Sequence, residues 1–224
     1  MWLANKVALR PLLAAIALLI VGTACISDGS SGLDREALLM AEHVDPQAPE
    51  SFQVVFETTK GEFVVEVVRD WAPRGADRFY FLASNGYYDD TAFFRAIDDF
   101  MVQFGIHGDP ELNRVWRDRR IDDDPVNMSN ERGLLSFASA GPDTRTTQLF
   151  INLVDNERLD PMGFTPFGRV VEGMDVVDSL YTDYGEGPPV GSGPEQQRIM
   201  DEGNQYLSDG FPALDFVITA RVKE

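Results

Sequence analysis

The sequence predicts a mostly β domain: a closed antiparallel barrel of seven or eight short strands, capped by two α-helices. Three observations predict it. Short runs of alternating or continuous apolar residues recur from Phe52 to Val222. Helical spacing is clear in two stretches, and each separates one group of strands from the next. Gly, Pro and Asn punctuate the joints between runs.

Each element follows in order. Phe52 to Thr58, FQVVFET, alternates apolar and polar residues, Lys60-Gly61 is a turn, and Glu62 to Val68, EFVVEVV, alternates again. This is a β-hairpin with one face toward a core. Ala72 to Asn85 reads as a helix, with Pro73 in its first turn, Ala76, Phe79, Tyr80 and Ala83 at helical spacing, and Gly86 closing it. Strand-like runs follow at 92–96, 100–106, 134–139, 149–153 and 166–171. A second helix is expected around Met174 to Leu180, and 195–207 reads as a further short helix. Leu214 to Val222, LDFVITARV, is the last strand. Tyr181 to Pro194 is rich in Gly and Pro and reads as a loop, so the barrel carries a C-terminal loop and helix insertion.

The N-terminus reads as a targeting segment. Lys6 and Arg10 precede an apolar or small run from Leu12 to Gly22, eleven residues long. A bilayer-crossing helix needs about 20 such residues, so the run is nearer the core of a secretory signal. The one cysteine, Cys25, stands just after small residues, where a bacterial lipoprotein signal carries its lipidated residue. The pattern departs from such signals at Gly22, where they have an aliphatic residue. Three readings stay open: lipidation at Cys25 with membrane attachment, plain secretion with cleavage nearby, and an uncleaved anchor. All three export the domain to the periplasm or cell envelope. The organisation is then a signal peptide over 1–25, a flexible, weakly helical tether over 26–50 ended by Pro46 and Pro49, and the folded domain over 51–224.

Composition excludes several function classes. The chain has 224 residues, 44% of them hydrophobic, and carries a formal net charge of −18. Phosphate backbones repel such a chain, so nucleic acid is not an expected partner. A chain starting at Cys25 loses two basic residues, and 17 basic against 37 acidic gives −20. His43 and His107 are the only histidines, which leaves no zinc cluster and no nucleophile–histidine pair of recognisable form. Asp122 to Asp124 lacks the spaced ligands of a calcium loop and reads as a solvated charge run. No metal or cofactor is expected, and a lone cysteine makes no intrachain disulfide.

Three segments carry positive information. FFRAIDDFMVQFG runs from Phe93 to Gly105, FASAGPDTRTTQLFI from Phe137 to Ile151, and LDPMGFTPFGRVVEGMDVVD from Leu159 to Asp178. Together, in this order and spacing, they resemble the cyclophilin signature: Phe-x-Arg, a Phe-Met pair and Gln-x-Gly; then Ala-Asn-Ala-Gly-Pro leading to Gln-Phe-Phe-Ile; then Leu-Asp followed by Phe-Gly-x-Val. The resemblance covers about Phe52 to Val222. It implies an eight-stranded barrel and peptidyl-prolyl cis–trans isomerisation of proline-containing polypeptides; a monomer is expected. It places Arg95, Gln103 and Phe100 in the catalytic set, and Met101, Ala138, Ser139, Ala140, Gln148, Phe150, Leu159 and Phe164 in the substrate-binding set. Ser139 stands where many members have asparagine. Arg158 aligns with a tryptophan found in some members, which implies weak cyclosporin sensitivity. Phe164 aligns with the familiar pocket histidine; it keeps a flat aromatic wall but loses a hydrogen-bonding group, and activity is expected to be retained. An alternative of another class is a proline-peptide binding module or holdase with little turnover. A third is an envelope structural protein that uses the barrel as an anchor domain.

Two stretches exceed the family's minimal pattern. His107 to Asn130 is a long polar connection with Trp116 and, counting Arg132 just beyond, five arginines: Arg114, Arg117, Arg119, Arg120 and Arg132. It reads either as a loop pinned by its tryptophan or as a basic rim favouring acidic substrate segments. Tyr181 to Pro212 would cover one barrel end or dock a partner.

Overall fold

The computed structural model describes residues 1, 32–40 and 45–223. Along the chain run α1 (Arg35–Met40), β1 (Ser51–Thr58), β2 (Gly61–Val68), α2 (Pro73–Ser84), β3 (Thr91–Ala92), β4 (Arg95–Ile97), β5 (Met101–Phe104), α3 (Pro110–Trp116), β6 (Leu134–Phe137), β7 (Leu149–Asn152), β8 (Pro166–Glu172), α4 (Met174–Asp178), α5 (Gln196–Glu202), α6 (Asn204–Gly210) and β9 (Phe216–Lys223). The features proposed for export, including Lys6, Arg10 and Cys25, lie outside the described residues, as does His43. Among the described residues no helix is long and apolar enough to cross a membrane.

All strands join one antiparallel sheet in the order β3-β9-β1-β2-β8-β6-β7-β5-β4. Its two end strands, β3 and β4, are consecutive in the chain and separated only by Phe93 and Phe94. The sheet therefore curls until its edges meet, and β3 with β4 count as one broken strand of an eight-stranded barrel. The single run predicted over 92–96 is corrected to these two pieces. The break has a cause: Phe93 turns into the barrel core while Phe94 packs in a separate apolar cluster against Ile199 and Leu207 of α5 and α6.

The hairpin of β1 and β2 has the register its alternation requires. Phe56 faces Phe63 across the pair, and their rings stack at 4.8 Å. Val54, Phe56, Phe63, Val65 and Val67 are buried together with Phe79 and Leu82 of α2 and Val177 of α4. Two helices thus cover the barrel, as predicted. The start of α2 is capped from a distance. Ala72 offers no side-chain cap, and the Asp124 carboxylate instead accepts from the amides of Arg74 (3.1 Å) and Gly75 (3.0 Å). Asp124 also pairs with the buried Arg145 at 3.1 Å. The solvated reading of Asp122 to Asp124 is corrected on this ground: Asp124 is a buried anchor, held because both its charge and its lone pairs are matched.

Three further corrections follow from burial. The flexible tether of residues 26–50 and the domain start at 51 do not hold for the described part of that stretch. Leu38 of α1 is fully buried in the main core, and its carbonyl accepts from Trp116 Nε1 at 3.2 Å. Burying one leucine contributes about 1.5–3 kcal/mol, and ion pairs from Arg35 to Asp109 and Glu111 add to the docking of a six-residue helix that would not stand alone. Asp45 pairs with buried Arg78 at 2.9 Å. The connection 107–130 contains α3, started by Pro110 and capped by Asp109, whose side chain accepts from the Glu111 amide at 2.8 Å. Its tryptophan does pin it, since Trp116 is buried against Tyr87. Finally, the helix read over 195–207 is two helices. Gly203 divides them at φ +65°, where a Cβ would meet the Gly108 carbonyl at 2.1 Å.

Candidate active site

Strand periodicity builds the site. Val102 and Phe104 of β5 and Leu149 and Ile151 of β7 point into the barrel core. Their alternates, Met101, Gln103 and Phe150, must then face outward. Cross-strand register aligns them: Arg95 of β4 stands opposite Gln103, Gln103 opposite Phe150, and Ile97 opposite Met101. The outer face of three neighbouring strands thus carries a guanidinium, an amide and a row of apolar groups.

These residues line a cleft of about 410 Å³. All eleven predicted residues border it: Arg95, Phe100, Met101 and Gln103 from the first segment, Ala138, Ser139, Ala140, Gln148 and Phe150 from the second, Leu159 and Phe164 from the third. One end is apolar. Met101, Phe150 and Leu159 are buried together, with Phe100, Ala138 and Phe164 packed around them. Phe150 and Phe164 meet edge to face, with ring centroids 5.6 Å apart. Arg158 lies over the Phe100 ring at 4.6 Å. The small residues Ala138, Ser139 and Ala140 form the open floor, fixed where the Ala138 amide donates to the Gln148 carbonyl at 2.9 Å.

Buried amides hold the third segment in place. The Asn130 side chain donates to Asp160 (2.8 Å) and to the Phe164 carbonyl (2.9 Å), while Ser136 donates to it. Asn156 donates to the Phe100 carbonyl at 2.8 Å. Burial raises the Asp160 carboxyl, but hydrogen bonds from Ser129 and Asn130 outweigh it and hold it below the usual range. These residues escaped the sequence reading because polar residues at joints look like ordinary turns.

The polar end is a chain of hydrogen bonds. Arg95 Nη1 donates to Gln103 Oε1 (3.0 Å), and Gln103 Nε2 donates to Gln148 Oε1 (2.8 Å). The Arg95 partner missed by sequence is Glu186, in the loop between α4 and α5. Nε donates to its Oε1 at 2.8 Å and Nη2 to its Oε2 at 2.6 Å. The neighbouring Asp98 and Asp99 are exposed and leave Arg95 alone. The Arg95 guanidinium, through its hydrogen bonds above all, holds the Glu186 carboxyl below its ordinary pKa. Arg117, Arg120, Thr144, Thr146, Gln196 and Met200 complete the lining. Of the five arginines in the proposed basic rim, only Arg117 and Arg120 reach the cleft. Arg119 lies over Trp116 and Arg132 pairs with Asp178.

His107 is outside the cleft. It is buried against Tyr87, its Nδ1 accepts from the Asp109 amide, and burial lowers its pKa. Among the described residues no cluster of three metal-ligating side chains occurs.

A family model described as cyclophilin type peptidyl-prolyl cis-trans isomerase/CLD matches residues 53–200. The chain belongs to this family. Among similar cyclophilins are peptidyl-prolyl cis-trans isomerase-like 1 of Rhizopus delemar and peptidyl-prolyl cis-trans isomerase B of Escherichia coli. The first is 40% identical over 134 residues, 57% of this chain and 79% of that one. The second is 35% identical over 136 residues, 57% of this chain and 82% of that one. A crystal structure of a Cryptosporidium parvum cyclophilin superposes with a TM-score of 0.57 at 22% identity, covering 78% of this chain and 98% of that one, which is agreement in fold. The same protein was also crystallised in the presence of the dipeptide Ala-Pro. The family match ends at residue 200, so it contains Glu186 but neither α6 nor β9.

Proposed function

We propose that the chain catalyses cis–trans rotation about X-Pro peptide bonds, with Arg95 as the electrostatic donor. The observation that carries this is a fixed guanidinium beside an aromatic-walled apolar pocket. Rotation about a peptide bond faces about 18–20 kcal/mol because the nitrogen lone pair is shared with the carbonyl. As the bond twists, the lone pair returns to nitrogen. A cation-borne N–H aimed there binds the twisted state more strongly than the planar one, which lowers the barrier. Nothing in this needs a nucleophile, a proton transfer or a metal.

The parts divide as follows. Met101, Phe150, Leu159 and Phe164 take the proline ring, with Phe100 at the rim. Ala138, Ser139 and Ala140 lie along the extended substrate backbone. Gln103 and Gln148 offer amide donors and acceptors to that backbone. Arg95 has five N–H groups, of which Glu186 occupies two and Gln103 one. The weakly accepting Met101 sulfur stands 3.8 Å from Nη1, and the N–H groups left over are the ones available to a substrate. The test is acceleration of cis–trans exchange in an Ala-Pro or Gly-Pro peptide, lost in Arg95→Ala. Proline-peptide binding by the wild type without acceleration would sink the proposal.

We read the cellular setting from residues 1–25 alone: export, with Cys25 as a lipid attachment point, and unfolded segments of exported proteins as clients. Mass spectrometry of the mature N-terminus tests the anchor; an unmodified mature chain without cysteine at its first position refutes it. A monomer is expected, and size-exclusion chromatography with light scattering checks it.

A further inference from the structure

We infer that Glu186 is a positioning residue for Arg95, and that the Gly- and Pro-rich insertion is folded to deliver its carboxylate. This rests on the isomerase reading above and extends it to a residue outside the three recognised segments.

An arginine side chain on a strand edge has several rotatable bonds and would sample many orientations. A bidentate carboxylate removes most of that freedom, because two parallel N–H···O bonds fix both the position and the plane of the guanidinium. Glu186 makes this fork on the Nε–Nη2 edge. Gln103, facing Arg95 from β5, accepts from Nη1. The plane of the donor is thereby set before substrate arrives, which is the preorganisation that catalysis by a fixed dipole requires.

The loop is built to hold that carboxylate. The Gly187 amide donates back to Glu186 Oε1 at 3.1 Å. The Gly193 amide donates to the Glu186 carbonyl at 2.9 Å, and the Gly191 amide to the Gly187 carbonyl at 3.0 Å. Gly191 is required by space: a Cβ there would stand 2.1 Å from the Glu186 carbonyl oxygen. The ends of the loop are tied down as well. The Tyr181 amide donates to Asp215 at 2.8 Å, the Glu195 amide to the Tyr206 hydroxyl at 3.1 Å, and the Tyr184 ring meets Phe211 edge to face. A loop with this many fixed points is an arm rather than a spacer. Only Arg95 is in ion-pair contact with the Glu186 carboxylate among the described residues.

The experiment compares wild type, Glu186→Gln and Gly191→Ala as full-length proteins. Glu186→Gln keeps the side-chain shape and removes the charge and one acceptor. Gly191→Ala keeps the carboxylate and displaces the backbone that carries it. Both should lower kcat by about tenfold while KM changes by less than about twofold, since orientation is lost and the pocket is kept. The Arg95 Nε–H resonance, identified by its absence in Arg95→Lys, should be slow to exchange with water in the wild type and fast in both variants. Full activity in Glu186→Gln overturns the inference. So does a gain in activity, which would make Glu186 a brake on Arg95. If the wild type accelerates no X-Pro peptide, the isomerase reading fails, and the Arg95 resonance still reports whether the clamp exists.

Discussion

The two walls of the cleft are made in different ways. One is the outer face of β4, β5 and β7, where each side chain is placed by strand register: Arg95 opposite Gln103 opposite Phe150. The other is built mostly from connections, with Arg117 and Arg120 beyond α3, Thr144 and Thr146 before β7, and Gln196 at the start of α5. Register places the backbone of each strand residue through its ladder and needs few other anchors. A wall of connections must be pinned from within. Here the pins are buried charges: Arg78 donates to the carbonyls of Arg119 (2.6 Å) and Thr146 (3.1 Å), and Arg145 pairs with Asp124. The comparison teaches where each wall is vulnerable.

The largest effect should come from removing a pin. Asp124→Ala leaves Arg145 buried without its partner and uncaps α2, and should cost about 3–5 kcal/mol in a denaturant titration. A cost below about 1 kcal/mol would show that the connection wall does not depend on buried charge. On the register wall, truncation should spare stability more and hurt function. Phe150→Ala opens the apolar end of the cleft, proposed to take proline, and should raise KM for an X-Pro peptide by about 10- to 100-fold, with a stability loss of about 3 kcal/mol because one face of the ring borders the cleft. An unchanged KM would place the proline elsewhere.

His107 supplies a pH test of the pinned side. Its folded pKa is lowered by burial, so the unfolded chain binds its proton more readily. Stability contributed by keeping it neutral is therefore present above the unfolded value of about 6.5 and is lost as pH falls below it. The melting temperature should decline from pH 7 to pH 5.5, and His107→Gln should flatten that interval. A slope unchanged in the variant would assign the decline to carboxylates. The smallest effect concerns Arg120, exposed on the cleft rim. Its charge should favour peptides with Glu near the proline over the Gln equivalents by about two- to fivefold, and Arg120→Gln should abolish the difference. Equal rates for the two wild-type reactions would remove acid preference from the connection wall.

The same contrast explains what could be read from sequence. The hairpin, α2 and the strands were legible because burial on one face forces a period, and the period is visible residue by residue. The residues of the register wall stand in two short segments of the sequence, whose spacing is constrained by strand pairing. Glu186 was not legible, because it stands 91 positions from Arg95 in a stretch whose glycines spell only a loop. Asp124 was misread for a related reason: a run of three aspartates looks solvated, and only the fold brings Arg145 and the amides of α2 to its last member. Leu38 and Trp116 were each read locally, as a weak helix and a loop pin. That they share a hydrogen bond across 78 positions is a property of the packed core.

The seam between β3 and β4 has a consequence for local opening. β4 is three residues long, ends the sheet order, and has a ladder to β5 alone. Such a strand can detach at a free energy well below that of global unfolding, so its amides should exchange with solvent sooner than those of β1 or β2. The residue proposed to act on the substrate therefore rides on one of the least protected strands of the barrel. The Glu186 arm then acts as a guy-rope for an edge that hydrogen bonding secures on one side only.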